Sequence, residues 1–160
     1  MLRLQRIVSG GQTGADQAAL DVATELGVPH GGWVPKGRRT ESGPLPEKYR
    51  LEEMPTDSYP KRTEQNVLDS DGTLIISHGE LKEGSEYTRK MAAKHGKPCI
   101  HIDADKQSIE AAVQMIRTWI SGNDIKVLNV AGPPAGKDPN IYTATKRLLK
   151  AVILSSYEDS

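Results

Sequence analysis

The sequence predicts an α/β fold: a single doubly wound domain over residues 1–160, with a mostly parallel sheet flanked by helices. Three observations predict it. Short β-branched runs alternate with amphipathic helical stretches along the chain. One run, Gly72-Thr73-Leu74-Ile75-Ile76-Ser77, is apolar almost throughout, as a strand covered on both faces must be. Polar, glycine-bearing turns follow three of the strands, at 10–14, 77–85 and 132–137. In such a sheet the carboxyl ends of the strands are where ligands gather.

Taken in order, Arg6 to Ser9 reads as the first strand. Ala15 to Leu26 reads as a helix, with Ala18, Ala19, Val22, Ala23 and Leu26 on one face and Gly27 ending it. Residues 28–60 are broken by prolines and glycines into an ordered, loop-rich insertion, with a short strand at Val28 and Trp33-Val34. Long loops in compact domains are more often functional than idle. Tyr59-Pro60 opens a short helix, since proline suits the first helical turn. The buried strand 72–77 follows, then a helix from Ser85 to His95 closed by Gly96, and a strand from Lys97 to Ile102. Cys99 falls in that apolar run and reads as a core residue. Asp105 to Ser121 is a helix with Ile109, Ala112, Val113, Ile116 and Ile120 on one stripe. Lys126 to Val130 is the last strand. Asp138-Pro139 caps a final helix reaching Leu154, and Tyr157 to Ser160 frays.

Bulk properties narrow the function. Lys and Arg number 21, as do Asp and Glu, so the net charge is zero. A neutral chain is a poor general partner for nucleic acid or for an anionic membrane surface. No run reaches membrane-spanning length, and the start lacks the apolar core of a signal peptide. One cysteine among 160 residues allows no internal disulfide, which fits a cytoplasmic home.

The stretch richest in chemistry is Ser9-Gly10-Gly11-Gln12-Thr13-Gly14-Ala15-Asp16. A strand enters a glycine bend, and a helix begins at once. Free amides at a helix start, with the positive end of its dipole, favour phosphate. Gln12 and Thr13 add side-chain donors. The bend matches neither the dinucleotide fingerprint nor the Walker loop. Asp16 either complements the helix dipole or accepts from a ligand. Lys36, Arg38 and Arg39 form the densest basic spot and are candidate anion ligands, held in a turn by Pro35 and Gly37. Asp71 reads as a turn cap or a functional carboxylate. Of the four histidines, His78 stands at a strand's carboxyl end and is the one candidate for a ligand contact, whereas His101 reads as structural. No metal-ligand spacing and no hydrolase nucleophile elbow occur.

Several segments together resemble a known family. They are Gly10-Gly11-Gln12-Thr13-Gly14-Ala15-Asp16; Trp33-Val34-Pro35-Lys36-Gly37-Arg38-Arg39 with Glu41, Gly43, Pro44 and Pro46; and Arg62-Thr63, Asn66-Val67 and Ser70-Asp71-Gly72-Thr73-Leu74. Over nearly its whole length the chain resembles the molybdenum carrier, or molybdenum-cofactor carrier, proteins. These sit in a wider Rossmann-like superfamily with the LOG-type, "lysine decarboxylase-like" phosphoribohydrolases. The resemblance implies a Rossmann-like domain, usually a homo-oligomer. Its cargo would be the molybdenum cofactor, a phosphorylated pterin (molybdopterin), or a nucleotide in its place, with molybdoenzymes as possible recipients. It implies that Gly10 to Gly14 hold phosphate, that Glu83-Gly84-Ser85-Glu86 form a second anion site with Ser77 nearby, and that Gly132 closes the pocket. Thr88 stands where the phosphoribohydrolases carry a catalytic glutamate, and Pro134 where an arginine follows Gly-Pro in carrier-like sequences. The expectation is therefore a binding protein with no catalytic residue and no resident metal. The alternatives are a nucleoside-monophosphate phosphoribohydrolase using Asp16 or Glu86, and a nucleotide-sensing module.

Overall fold

The computed structural model describes residues 2–155, so the frayed end expected at 157–160 lies outside the described residues. Those residues form nine strands and five helices, in the order β1 (Arg6–Val8), α1 (Ala15–Glu25), β2 (His30–Gly31), β3 (Trp33–Val34), β4 (Arg39–Thr40), β5 (Gly43–Pro44), β6 (Glu52–Glu53), α2 (Tyr59–Leu68), β7 (Gly72–Ser77), α3 (Glu83–Lys94), β8 (Cys99–Asp103), α4 (Ile109–Gly122), β9 (Val127–Ala131) and α5 (Ile141–Leu154). The central sheet has five strands in the order β2-β1-β9-β7-β8, every pair parallel. The α/β, doubly wound expectation holds.

Side-chain alternation explains the two faces of this sheet. Leu74 and Ile76 of β7 and Leu128 and Val130 of β9 join the main apolar cluster with α1, α4 and α5. Residues of the opposite parity, Thr73 and Asn129, are buried on the other face, where Asn129 Nδ2 donates to Thr73 Oγ1 at 3.2 Å. There α2 packs against α3 and α3 against β7. One face is thus aliphatic and the other partly polar.

Counted from β9, the strand order reads 3-2-1-4-5, which is the doubly wound nucleotide-binding order started from a different strand. The Leu2 N–H donates to the Ile153 carbonyl at 2.9 Å, so α5 ends beside the segment leading into β1. The crevice where the winding reverses lies between β9 and β7.

Four sequence expectations are corrected. The edge strand after α1 is His30–Gly31, not Val28, because Gly31 and His30 are the residues in register with Val8 and Ile7. Helix α4 starts at Ile109 rather than Asp105: Asp103 Oδ1 accepts the Gly79 and Asp105 amides at 2.9 Å to build a turn, and Ser108 caps the helix through the Ala111 amide. Helix α5 starts at Ile141, because Asp138 instead takes the Asn140 amide at 3.0 Å in a turn before it. Cys99 is only half-buried, since β8 is a sheet edge. Burial still pushes its thiol up to about 11, away from nucleophile behaviour.

The insertion 28–60 has its own small core of Val34, Leu45, Tyr49 and Leu51 against Leu20. Arg38 pins it, donating from Nε to Leu45 O (3.1 Å) and from Nη2 to Pro46 O (2.9 Å) and Tyr49 O (2.7 Å). Asn66 of α2 clamps β3, accepting from Trp33 N (2.8 Å) and donating to Trp33 O (3.0 Å).

Gly14 marks a tight crossing between the first and last loops. It has φ 83, and a Cβ there would lie 2.6 Å from Pro133 O and 2.8 Å from Ala135 N. Gly14→Ala is expected to cost about 2–4 kcal/mol, combining backbone strain and overpacking. Urea unfolding with an unchanged m-value checks this, and a cost below about 1 kcal/mol would show that the two loops are not locked together.

Candidate functional site

A cavity of about 1000 Å³ opens at the carboxyl ends of β1, β9 and β7, on the polar side of the sheet. That is the size of a small-molecule site, at the place where doubly wound sheets bind ligands. Its walls come from the glycine bend, α2, the turn between β7 and α3, and the loop between β9 and α5.

The glycine bend is built differently from the sequence expectation of bare amides. The Gly11 N–H donates to Ser9 Oγ (3.4 Å), Gln12 N–H to Asp16 Oδ2 (3.3 Å), Thr13 N–H to Gln12 Oε1 (3.0 Å) and Ala15 N–H to Pro133 O (3.4 Å). The chain's own acceptors satisfy much of the bend. Asp16, only 7% exposed, is the anion on its inner side. Burial raises its pKa to about 6, against the opposing pull of Arg62 and of the Gln12 and Gly10 amides.

Arg62 stands opposite. It sits on the inward stripe of α2 with Asn66 and is 7% exposed. Its Nη1 donates to Gly10 O, and its guanidinium lies 5.5 Å from the Tyr59 ring centroid. Its Nε is buried without an acceptor in the protein. Burial pushes the Arg62 pKa down, yet guanidinium stays protonated. A buried cation with a donor to spare, on the wall of a cavity, is the group that an oxyanion would complete.

The mouth is crossed by an ion pair and a histidine–carboxylate contact. Lys137 pairs with Glu83, and His78 Nδ1 lies 2.6 Å from Asp138 Oδ2. These contacts tie the β7–α3 turn to the β9–α5 loop. Ser77 Oγ donates to Gly79 O at 2.7 Å and lies 2.6 Å from His101 Nε2, which makes His101 part of the scaffold.

Of the residues expected at the site, Gly10, Gln12, Asp16, Ser77, Gly84, Ser85 and Gly132 line the cavity, as does His78. Eight others do not. Gly11 lies beneath Leu45 and Leu51, and Thr13 and Gly14 pack on the 133–136 segment. Lys36 is exposed on the insertion. Arg38 is committed to the carbonyls of its own loop, and Arg39 donates to Asp57 O (3.2 Å) and stacks on Tyr59 at 4.3 Å. Glu86 faces away and pairs with Arg89. Asp71 is a cap: its Oδ2 accepts the Lys126 and Val127 amides at 3.0 and 2.8 Å. Sequence reasoning passed over Arg62 as a site residue. Its signal was a cation four residues before Asn66 on the stripe that also carries Val67. Among the described residues no cluster of three His, Cys, Asp or Glu forms a metal site, and no helix is long and apolar enough to cross a membrane.

Comparison with known proteins adds to this geometry. Residues 7–153 match the model of the "Circularly permutated YpsA SLOG family". The permuted strand order is the one seen in the sheet. The chain is similar to the crystal structure of a "Putative molybdenum carrier protein" from Syntrophus aciditrophicus SB: 60% identity, 95% of this chain and 96% of that one covered, TM-score 0.93. Among curated proteins nothing matches significantly. A matching family model over nearly the whole chain and the strand order it describes lead to one conclusion: the chain belongs to the circularly permutated YpsA SLOG family.

Proposed function

We propose that this chain is a single-domain carrier that holds a small phosphorylated ligand of the molybdopterin type in the cavity, without turning it over. The observation that carries the reading is Arg62: a buried guanidinium on the cavity wall whose Nε has no protein acceptor. A ligand phosphate supplies that acceptor and a matching charge. Gly84 and Ser85, at the start of α3, offer a second polar wall. The molybdenum-carrier description of the Syntrophus protein supports a molybdenum-bearing cargo. On this reading the protein works in the cytoplasm as a homo-oligomer and hands its cargo to molybdoenzymes.

A second reading is favoured by Asp16. A carboxyl raised to about 6 inside a cavity is suited to general-acid work, as a phosphoribohydrolase would need. Glu86, the other carboxylate considered, points away from the cavity.

Three outcomes are expected. Arg62→Gln weakens binding of AMP or of the co-purifying ligand by about tenfold or more, measured by calorimetry. Unchanged affinity would move the site elsewhere. Binding of sulfate, which does not titrate in this range, strengthens several-fold from about pH 7.5 to about pH 5.5. The sign follows from Asp16: as pH falls through about 6 its carboxylate is neutralised and no longer competes for Arg62. Asp16→Asn flattens that profile, and a profile that survives in the variant would assign it to another group. Nucleoside monophosphates release no base on incubation with the protein. Turnover that disappears in Asp16→Asn would replace the carrier by the hydrolase.

A further inference from the structure

The outer side of the glycine bend carries a second anion position, and Glu41 occupies it. Its carboxylate Oε2 accepts from the Thr13 hydroxyl and from the Gly136 amide, the latter at 2.8 Å. The hydroxyl is locked as a donor, because Thr13 Oγ1 already accepts the Ala135 amide at 3.1 Å and its one proton is left for the carboxylate. Gln12 Oε1 accepts both the Thr13 amide (3.0 Å) and the Glu41 amide (2.9 Å), which aligns the two segments. Gly136 permits the approach: a Cβ there would lie 2.5 Å from Glu41 Oε1. The arrangement presents neutral donors to an oxyanion, and the oxyanion in place is the chain's own.

Glu41 is also placed to leave. It sits at the tip between the two-residue strands β4 and β5, is exposed, and forms no ion pair among the described residues. Glu41 and Gln12 line the same cavity that Arg62 lines, while Thr13 and Gly136, which do not line it, lie behind the Glu41 carboxylate that bonds them. We propose that Glu41 is a built-in competitor for an oxyanion subsite formed by Thr13 and Gly136, which a ligand fills by displacing the 39–44 hairpin. This rests on the cavity being the binding site and narrows its ligand class. The ligand would carry two separated oxyanion groups, one at Arg62 and one at the rim, with the remainder between them.

The test is calorimetric titration of inorganic phosphate and of molybdate into wild type, Glu41→Ala and Glu41→Gln, with folding checked by circular dichroism. Removing the competitor is expected to tighten oxyanion binding about tenfold in Glu41→Ala and less in Glu41→Gln, which keeps the shape but loses the charge. Thr13→Val combined with Glu41→Ala is expected to cancel the gain. Equal or weaker binding of both anions by the two Glu41 variants would overturn the proposal and leave Glu41 as a hairpin tether. Arg62→Gln in the Glu41→Ala background separates the two readings. A gain that survives there locates the oxyanion at the rim. AMP binding that depends on Arg62 but not on Glu41 keeps the cavity reading and rejects the subsite.

Discussion

Burying a guanidinium is costly, and the site's organisation follows from that cost. Arg62 reaches from α2 to the carbonyl of Gly10, so α2 and the end of β1 are fixed against each other. Gly10 leaves the guanidinium its place, since a Cβ there would lie 2.6 Å from the Arg62 guanidinium carbon and would displace it. The charge on Arg62 restrains Asp16 from rising further, while burial holds Asp16 near 6. Arg62, whose Nε has no acceptor in the protein, is incompletely satisfied without a third group. The cavity beside them is the space that group would take.

The sheet supplies the position. Inserting β9 between β1 and β7 brings the first loop of the chain and its last loop together. Gly14 stacked on Pro133 and Ala135 is the result, and so is the Thr13–Ala135 hydrogen bond. Residues more than 100 positions apart thereby form one wall, and a crevice between β9 and β7 is left for a ligand.

Much of the fold was legible because local rules and the final packing agree. The apolar run 72–77 became β7 to the residue, and Gly27 and Gly96 stand just past α1 and α3 with φ 71 and 65. Pro60 lies in the first turn of α2, capped by Ser58. The misses occurred where a polar side chain had a distant partner. Asp138 looked like a helix cap but is shared between the Asn140 amide and His78, 60 positions away. The basic run 36–39 looked like an anion site, yet Arg38 is consumed by carbonyls of the insertion. The glycine bend is legible as the stretch richest in chemistry, Asp16 included, but Glu41, 28 positions from Thr13, is paired with it only in three dimensions.

The central claim is that the Arg62 Nε–H meets a ligand oxyanion in the cavity. The most direct measurement is the Arg62 Nε–H resonance in nitrogen-15 NMR spectra, assigned by its loss in Arg62→Lys, followed as AMP is added. The account predicts a saturable downfield shift of that proton, as expected when a free donor gains a charged acceptor. A resonance that stays in place while AMP binds elsewhere on the protein would contradict it.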